Sequence, residues 1–544
     1  MVLPTITKHQ KIVFYLFFTL CLVIQIIPVV RSGLNYSYGI GFWGPNGHDG
    51  IWHLSLINHI TNPFKINMPI FSGEILRNYH PFFDILIAYA SKITTINSSI
   101  WLFQIFPLLS SGLFLLFSFK LGHKLTGKFS TGLILMLLNT ISNSFGWLVS
   151  LFRSGSFGGE SLFWAMQSPS NQLNPPFMLS ILLLLILIYL LHQQNPSKIS
   201  IFFTLIFLPI IKVYSALPAF TIFFFYVLKH KKYFTTLILS FTVAVFLFFQ
   251  YNSASSSLIS FQPFWFINSM VESSDRLYLP RLANARYTLE SSGKIGPRLI
   301  AYYLATISIF YLGNFAWRFL SLFEIKKNKS IFIAAIICSV IPLFFIQKGT
   351  SWNTIQFLYY ALFLLNIPLS LYLTKHRTLS YIVIFFSLIP LIGSLPGYIG
   401  KIPPTAISTE ESAALDFLKQ QPKGAVLTFP YDPFLKKSLN ITPLPIYAYE
   451  TTSYVAAYSH HITFFEDEMN LENSGYDWQP RRQDSLSFFE QNDVNRDRGF
   501  LVNNQIDYIY LPKEYAKNTP EFSDQMYLDQ IFENSKVIIY QVKR

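Results

Sequence analysis

Cysteine, charge and acidity are what this 544-residue chain has least of. Only two cysteines occur, Cys21 and Cys338, both inside apolar runs, so neither a disulfide framework nor a cysteine metal site is available. Charged residues make up 13% of the chain against 51% hydrophobic and 17% aromatic. A soluble globular protein is far less apolar, and the balance marks a chain that crosses a membrane many times. Acids are scarcest of all: residues 1–403 hold 28 Lys and Arg but only 8 Asp and Glu, whereas residues 404–544 hold 13 and 20. The net charge of +13 therefore belongs to the membrane part and is no argument for nucleic acid.

What is present is a series of apolar runs of near-membrane length. They fall at 11–30, 100–118, 129–151, 177–192, 199–211, 215–228, 233–250, 299–320, 330–346, 355–373 and 379–399. The first is long for a signal-peptide core and lacks a small-x-small cleavage site, so it is expected to stay as a signal anchor. Lysine and arginine cluster at alternate ends, from Lys8 and Lys11 through Lys120, Lys124 and Lys128 to Lys375 and Arg377. Cytoplasmic loops retain such residues. The count then closes on eleven passes with the amino terminus inside and the carboxyl tail outside. Seven of the eight acids, Asp49, Glu74, Asp84, Glu160, Glu272, Asp275 and Glu290, fall in outward segments, which puts any chemistry on the outer face.

The densest outward stretch is GFWGPNGHDGIWHLSLINHI, Gly41 to Ile60, in a first loop spanning 31–99. From His48 it reads as a short helix entered through a turn, with Asp49 and His53 four apart on one side. Histidines and Trp52 at headgroup level also suit a helix lying in the membrane interface, but that leaves unexplained a carboxylate where the chain has almost none. A second helix is expected at 80–93, with Asp84 in its first turn, where the helix dipole favours a carboxylate. Lys212 sits between two apolar runs, either snorkelling to headgroups or meeting a phosphate. The loop Tyr251 to Arg298 places Arg276, Arg281 and Arg286 among aromatics, and their forked donors suit a phosphate unless Glu272 and Asp275 simply pair with them. Lys348, Asn353 and Gln356 lie at another outer mouth, where amides suit sugar hydroxyls and an interfacial belt equally.

After Pro403-Pro404 the pattern becomes that of an α/β domain. A helix is expected at Glu410 to Gln420, a strand at Ala425 to Phe429, a helix near Arg482 to Glu490, and strands at Ile506 to Leu511 and Val537 to Val542. No glycine-rich nucleotide loop and no Gly-x-Ser-x-Gly elbow occurs there, and a lid or acceptor-guiding module is the expected role. His460-His461 is a weak metal signal, because adjacent residues point apart.

A cytoplasmic amino terminus, one span, a long outer loop whose first helix carries an early aspartate, many further spans and an outer carboxyl-terminal domain together resemble the GT-C superfamily of integral-membrane glycosyltransferases. The resemblance covers roughly residues 1–400. It implies a polytopic helical domain at 1–403 with an extracytoplasmic α/β domain at 404–544. It also implies a sugar moved from a polyprenyl-phosphate-linked donor to a glycan, lipid or protein acceptor, with an acid of the first outer loop at the reaction centre. Family members often show paired acids; here His48-Asp49-Gly50 offers one, so Asp49 alone is carried over, and a divalent cation, magnesium or manganese, stays open. The expected roles are Asp49 and His53 in catalysis, Lys212, Arg276, Arg281, Arg286 and Lys348 on the donor phosphate, and His48, Trp52, Asn353 and Gln356 on sugar or acceptor. Inversion of the anomeric centre follows from a single displacement. A lipid-linked oligosaccharide ligase or polymerase, and a non-catalytic transporter or flippase of such lipids, are the competing readings.

Overall fold

The computed structural model describes residues 7–252, 259–291, 293, 296–490, 493–516 and 526–543. The chain divides into two compact units, one of 1–28, 107–249 and 256–399, the other of 29–106, 250–255 and 400–544.

The second unit is mixed. In chain order it contains β1 (Leu34–Tyr36), β2 (Gly39–Phe42), α1 (Asp49–His59), α2 (Phe82–Thr94), β3 (Thr405–Ile407), α3 (Thr409–Gln420), β4 (Ala425–Thr428), β5 (Leu444–Pro445), β6 (Ile462–Thr463), β7 (Ile506–Pro512), β8 (Leu528–Glu533) and β9 (Val537–Val542). One sheet runs β1-β2-β3-β5, so strands from the first loop and from beyond residue 400 share a single ladder. The approach is close: at Gly39, with φ +114°, an added Cβ would lie 2.0 Å from the Ile407 carbonyl oxygen, and only glycine tolerates both the angle and the contact. The other sheet runs β8-β9-β7-β4-β6. Its β4 is parallel to β6 and β7, while β9 is antiparallel to β7 and β8. Further ties bind the first loop here: Thr463 N–H donates to Pro69 O, Ser72 N–H to Thr463 O and Glu466 N–H to Ile70 O. α3 opens with a capping box, Ser408 and Glu411 satisfying each other's backbone N–H groups, which offsets the donors that a helix start leaves unpaired.

The first unit is helical, since backbone in hydrocarbon must satisfy its own hydrogen bonds. All eleven apolar runs are helical, but they do not all have the length of a span. Among the described residues six helices are long and apolar enough to cross: Lys8–Ile26, Ser98–Thr126, Lys231–Tyr251, Pro297–Glu324, Ser351–Lys375 and Arg377–Ser394. Phe129–Ile141 and Gly146–Ser154, bent by 49°, make a seventh if taken together. Pro175–Leu191, Lys198–Ile211, Val213–Lys229 and Lys329–Phe344 are shorter apolar helices. Length and apolarity thus qualify six or seven spans where runs of hydropathy alone suggest eleven.

A polar spine threads this apolar bundle. Arg318, 2% exposed, donates from Nε to Asn366 Oδ1 at 3.0 Å and from Nη1 to Gln167 Oε1 at 3.1 Å. Asn366 Nδ2 in turn donates to Asn139 Oδ1 at 3.1 Å, and Asn139 Nδ2 to Ser118 Oγ at 2.9 Å. Buried polar groups are costly unless paired, so a chain of this kind holds its helices in one arrangement. Arg318→Met removes two donors and leaves two acceptors buried without partners, at about 1–3 kcal/mol each. The midpoint of thermal unfolding in detergent is expected to fall by several degrees, read by thiol labelling of the buried Cys21 and Cys338. Arg318→Lys should recover only part of the loss, because an ammonium lacks the planar fork. A midpoint equal to wild type would show the guanidinium to be dispensable.

Candidate active site

In open sheets with parallel strands, ligand sites form at the carboxyl ends of those strands. The parallel trio β4, β6 and β7 directs three such ends to one place, and the chain leaving β6 carries Glu466, Asp467 and Glu468 across it. Asp467 takes a left-handed conformation at φ +54°. Its Oδ1 caps the helix Glu468–Asn473 through Asn470 N–H at 3.3 Å, and Oδ2 accepts from Asn470 Nδ2 at 2.8 Å. The side chain is 0% exposed, and the capping bonds aim it at one target.

That target is His48. In the first loop Gly44–Gly47 make one tight 3₁₀ turn that delivers His48 to the start of α1. Behind it Trp43 is buried, with the Arg31 guanidinium 4.2 Å over its ring. Nδ1 of His48 lies 2.8 Å from Asp49 Oδ1 and Nε2 lies 3.3 Å from Asp467 Oδ1. An imidazole facing a carboxylate at each nitrogen donates from both only when protonated. Burial alone would lower its proton affinity, but Asp467 and then Asp49 outweigh burial and hold His48 well above its ordinary 6.5. The three side chains grade from sealed to open: Asp467 0%, His48 6% and Asp49 52% exposed. The arrangement fixes a half-exposed carboxylate by way of a buried cation that is itself fixed by a sealed carboxylate. Glu450 joins the surroundings, its carboxyl raised by burial, lowered by His48 and raised again by Asp49. Glu466 is pushed up to about 8 by burial, with Val455 and Ala456 N–H groups on its oxygens.

His53 does not serve Asp49. Its Nδ1 lies 2.7 Å from Oδ1 of Asp84, a carboxyl 0% exposed and raised by burial. Trp52 is buried and donates from Nε1 to the Tyr79 hydroxyl at 3.2 Å. These contacts tie α1 to α2 and the segment before it. His48, not His53, contacts Asp49, and Asp84 lies in the first turn of α2 as expected while also meeting His53.

The remaining expected site residues belong to the helical unit. Lys212 is buried between its two short helices, its Nζ 3.4 Å from Asn174 Oδ1. Arg276 stacks on Trp164 at 3.9 Å and lines a cavity of about 330 Å³ with Glu160, Trp352 and Tyr359. Asp275 is 3.5 Å from its Nη2. Glu160, for which sequence offered no partner, accepts from Ser170 Oγ at 2.7 Å and Gln167 N–H at 2.9 Å, and burial raises its carboxyl. Arg286 is ion-paired to Glu272 and lies 3.7 Å from Glu290. Arg281 and Lys348 are exposed, and Gln356 Nε2 donates to Asn353 Oδ1 at 3.4 Å. Among the described residues no three His, Cys, Asp or Glu side chains gather as a metal site, so the divalent cation left open by sequence finds no ligand set there.

No protein-family model matches the chain, and no curated protein matches its sequence. Among solved structures it is similar to the oligosaccharyltransferase of Archaeoglobus fulgidus. With the apo form it shares 12% identity at a TM-score of 0.48, over 93% of this chain and 70% of that one. With the complex holding zinc and sulfate it shares 14% at 0.46, over 92% and 68%. ArnT from Cupriavidus metallidurans, in the apo state, shares 10% at 0.40, over 98% of both chains. At these identities and TM-scores the likeness transfers no residue role.

A protonated His48 stabilises the fold where its proton is held more tightly than in the unfolded chain. Its contribution is present in full below about pH 6.5 and is lost as pH rises through the elevated folded value. The difference in unfolding midpoint between wild type and His48→Gln should therefore shrink as pH is raised from 6 to 9. With Asp467→Asn as background the difference should be smaller and its shrinkage complete at lower pH. A difference flat across that range would refute the protonated form.

Proposed function

We propose that the chain is a membrane glycosyltransferase that moves a sugar from a polyprenyl-phosphate-linked donor to an acceptor hydroxyl at the outer face of a cell membrane. The observation that carries the reading is the half-exposed Asp49 carboxylate, held by a buried imidazole and through it by a sealed second carboxylate, in a chain whose first 403 residues are largely apolar and acid-poor. Fixing a base in advance is how protein groups lower a barrier without reorganising at the moment of reaction.

In the proposed step the acceptor hydroxyl hydrogen-bonds to Asp49. Its oxygen forms a bond to the anomeric carbon while the bond from that carbon to the donor phosphate oxygen breaks. The proton goes to Asp49 and the bonding pair leaves with the phosphate, so one displacement inverts the centre. His48 and Asp467 touch no reacting atom; they position Asp49. The departing phosphate calls for a cation, the role the sequence suggests for Lys212, Arg276, Arg281, Arg286 and Lys348. The acceptor is a glycan, lipid or protein hydroxyl, and the lipid carrier and bilayer are the remaining partners.

General-base help is worth about 10²–10⁴-fold. Purified Asp49→Asn, an isostere at a half-exposed site, is expected to lose transfer from a labelled polyprenyl-phosphate sugar by at least about 10²-fold with its unfolding midpoint unchanged. Full activity in that variant would remove the catalytic claim. Asp467→Asn should lower turnover less and shift its pH profile, the signature of a residue that acts through His48.

A further inference from the structure

The carboxyl ends of β4, β6 and β7 face the His48 site; their amino ends border a different feature. A groove of about 750 Å³ opens beside Ala425, Ile462 and Gln505, within the mixed unit. That volume lies within the range of ligand sites, and none of the residues assigned above to transfer lines it.

Its charge is unbalanced. The Arg481 guanidinium is clamped between the rings of Phe71 at 3.8 Å and Phe464 at 4.8 Å. Nη1 donates to Phe464 O at 2.9 Å and to Ser72 Oγ at 3.5 Å. Among the described residues it forms no ion pair, although Glu74 is near enough to be felt. A half-buried guanidinium held flat by two aromatic faces keeps its remaining N–H donors in a fixed fork, the geometry that receives a carboxylate or phosphate. Lys423, exposed at the same groove, spends one bond on His460 O at 2.9 Å and likewise has no ion pair among the described residues. The one carboxylate on the lining, Asp507, accepts from Ala425 N–H at 3.0 Å.

Three histidines deepen the asymmetry. Burial pushes His59 down to about 4; burial, Lys419, His59 and Lys423 push His460 down to about 3. His461 is also lowered, first by burial and then by Lys423. Neutral at physiological pH, they supply polar ring edges without adding charge. The rim carries Asn67, Asn503 and Gln505, all exposed. Side-chain amides donate and accept together, as a sugar hydroxyl does.

We propose that this groove binds an anionic saccharide, with a carboxylate or phosphate on Arg481 and Lys423 and hydroxyls on Asn67, Asn503 and Gln505. The site stands apart from the transfer chemistry and would exist whether or not Asp49 is catalytic. Its cations demand an anion, the amide rim demands hydroxyls, and the volume demands more than a bare ion.

The test is calorimetric titration of the full-length protein in lipid nanodiscs at pH 7 with trigalacturonate, glucose 6-phosphate and neutral maltotriose. Saturable binding of either anionic sugar, weakened by added salt, supports the proposal, and which of the two binds tells carboxylate from phosphate. Hydrogen bonds to a charged group are worth about 1.5–3 kcal/mol, so Arg481→Gln should weaken binding at least about tenfold. Lys423→Gln, at an exposed position where folding is not at stake, should weaken it several-fold. Asn503→Ala combined with Gln505→Ala should weaken the sugar but not competition by inorganic phosphate. Asp49→Asn should bind as wild type does, which separates failure of this site from failure of the transferase reading. Equal affinity for maltotriose, no saturable binding of either anion, or undiminished binding in both cation variants would overturn it.

Discussion

A carboxylate without solvent and an imidazole with almost none meet across 419 positions of sequence, Asp467 against His48. Taking either charge out of water is expensive, and their attraction repays it only when geometry and accessory hydrogen bonds are good. Here they are supplied in layers. Asn470 holds both oxygens of Asp467, and Asp49 takes the other ring nitrogen of His48. Removing one member of such a set leaves a buried charge uncompensated, which typically costs about 3–5 kcal/mol. The pair therefore determines where Asp49 can be, because its neighbour in sequence is held from the far side.

The backbone makes the meeting possible. β2 and β3 pair over Ile40 to Phe42, with Gly39 packed close against Ile407, and the segment from Pro69 to Ser72 bonds to Thr463 and Glu466. The first loop is thus built into the same unit as the residues after 400. His53 and Asp84 form a second buried imidazole–carboxylate pair, which docks α2 on α1. One helix of eleven residues is consequently held by two imidazole–carboxylate contacts, and its amphipathic face alone would not do this, since eight of those residues are buried.

The helical unit solves a related problem with neutral groups. Its deep arginine meets amides and a carbonyl rather than an acid, and the spine from Arg318 to Ser118 spreads polarity over several helices. A charge fully solvated by protein dipoles can remain in an apolar bundle. Two strategies therefore coexist in one chain, ion pairs in the mixed unit and amide chains in the helical one.

Local periodicity determined much of this. The eleven apolar runs are all helical, α1 starts at Asp49 where the turn residues place it, and the strand expected at Val537 to Val542 is found there. The helix expected from Glu410 is Thr409–Gln420. Asp49 stood out because an acid is rare before residue 404, and the structure shows it half-exposed and held. Tertiary structure decided what period cannot encode. β1 and β3 are three residues long, too short for an alternation to register, yet they set the pairing that brings residue 48 to residue 467. Four of the apolar helices are short of a membrane's width, which hydropathy reads as runs without reading where the backbone turns. Arg286 and Arg276 look alike in sequence; in the fold Glu272 and Glu290 flank the one, while Asp275 and the Trp164 indole flank the other. A residue's type sets which interactions it can make, whereas the choice among them depends on which distant groups the fold leaves within about 3 Å.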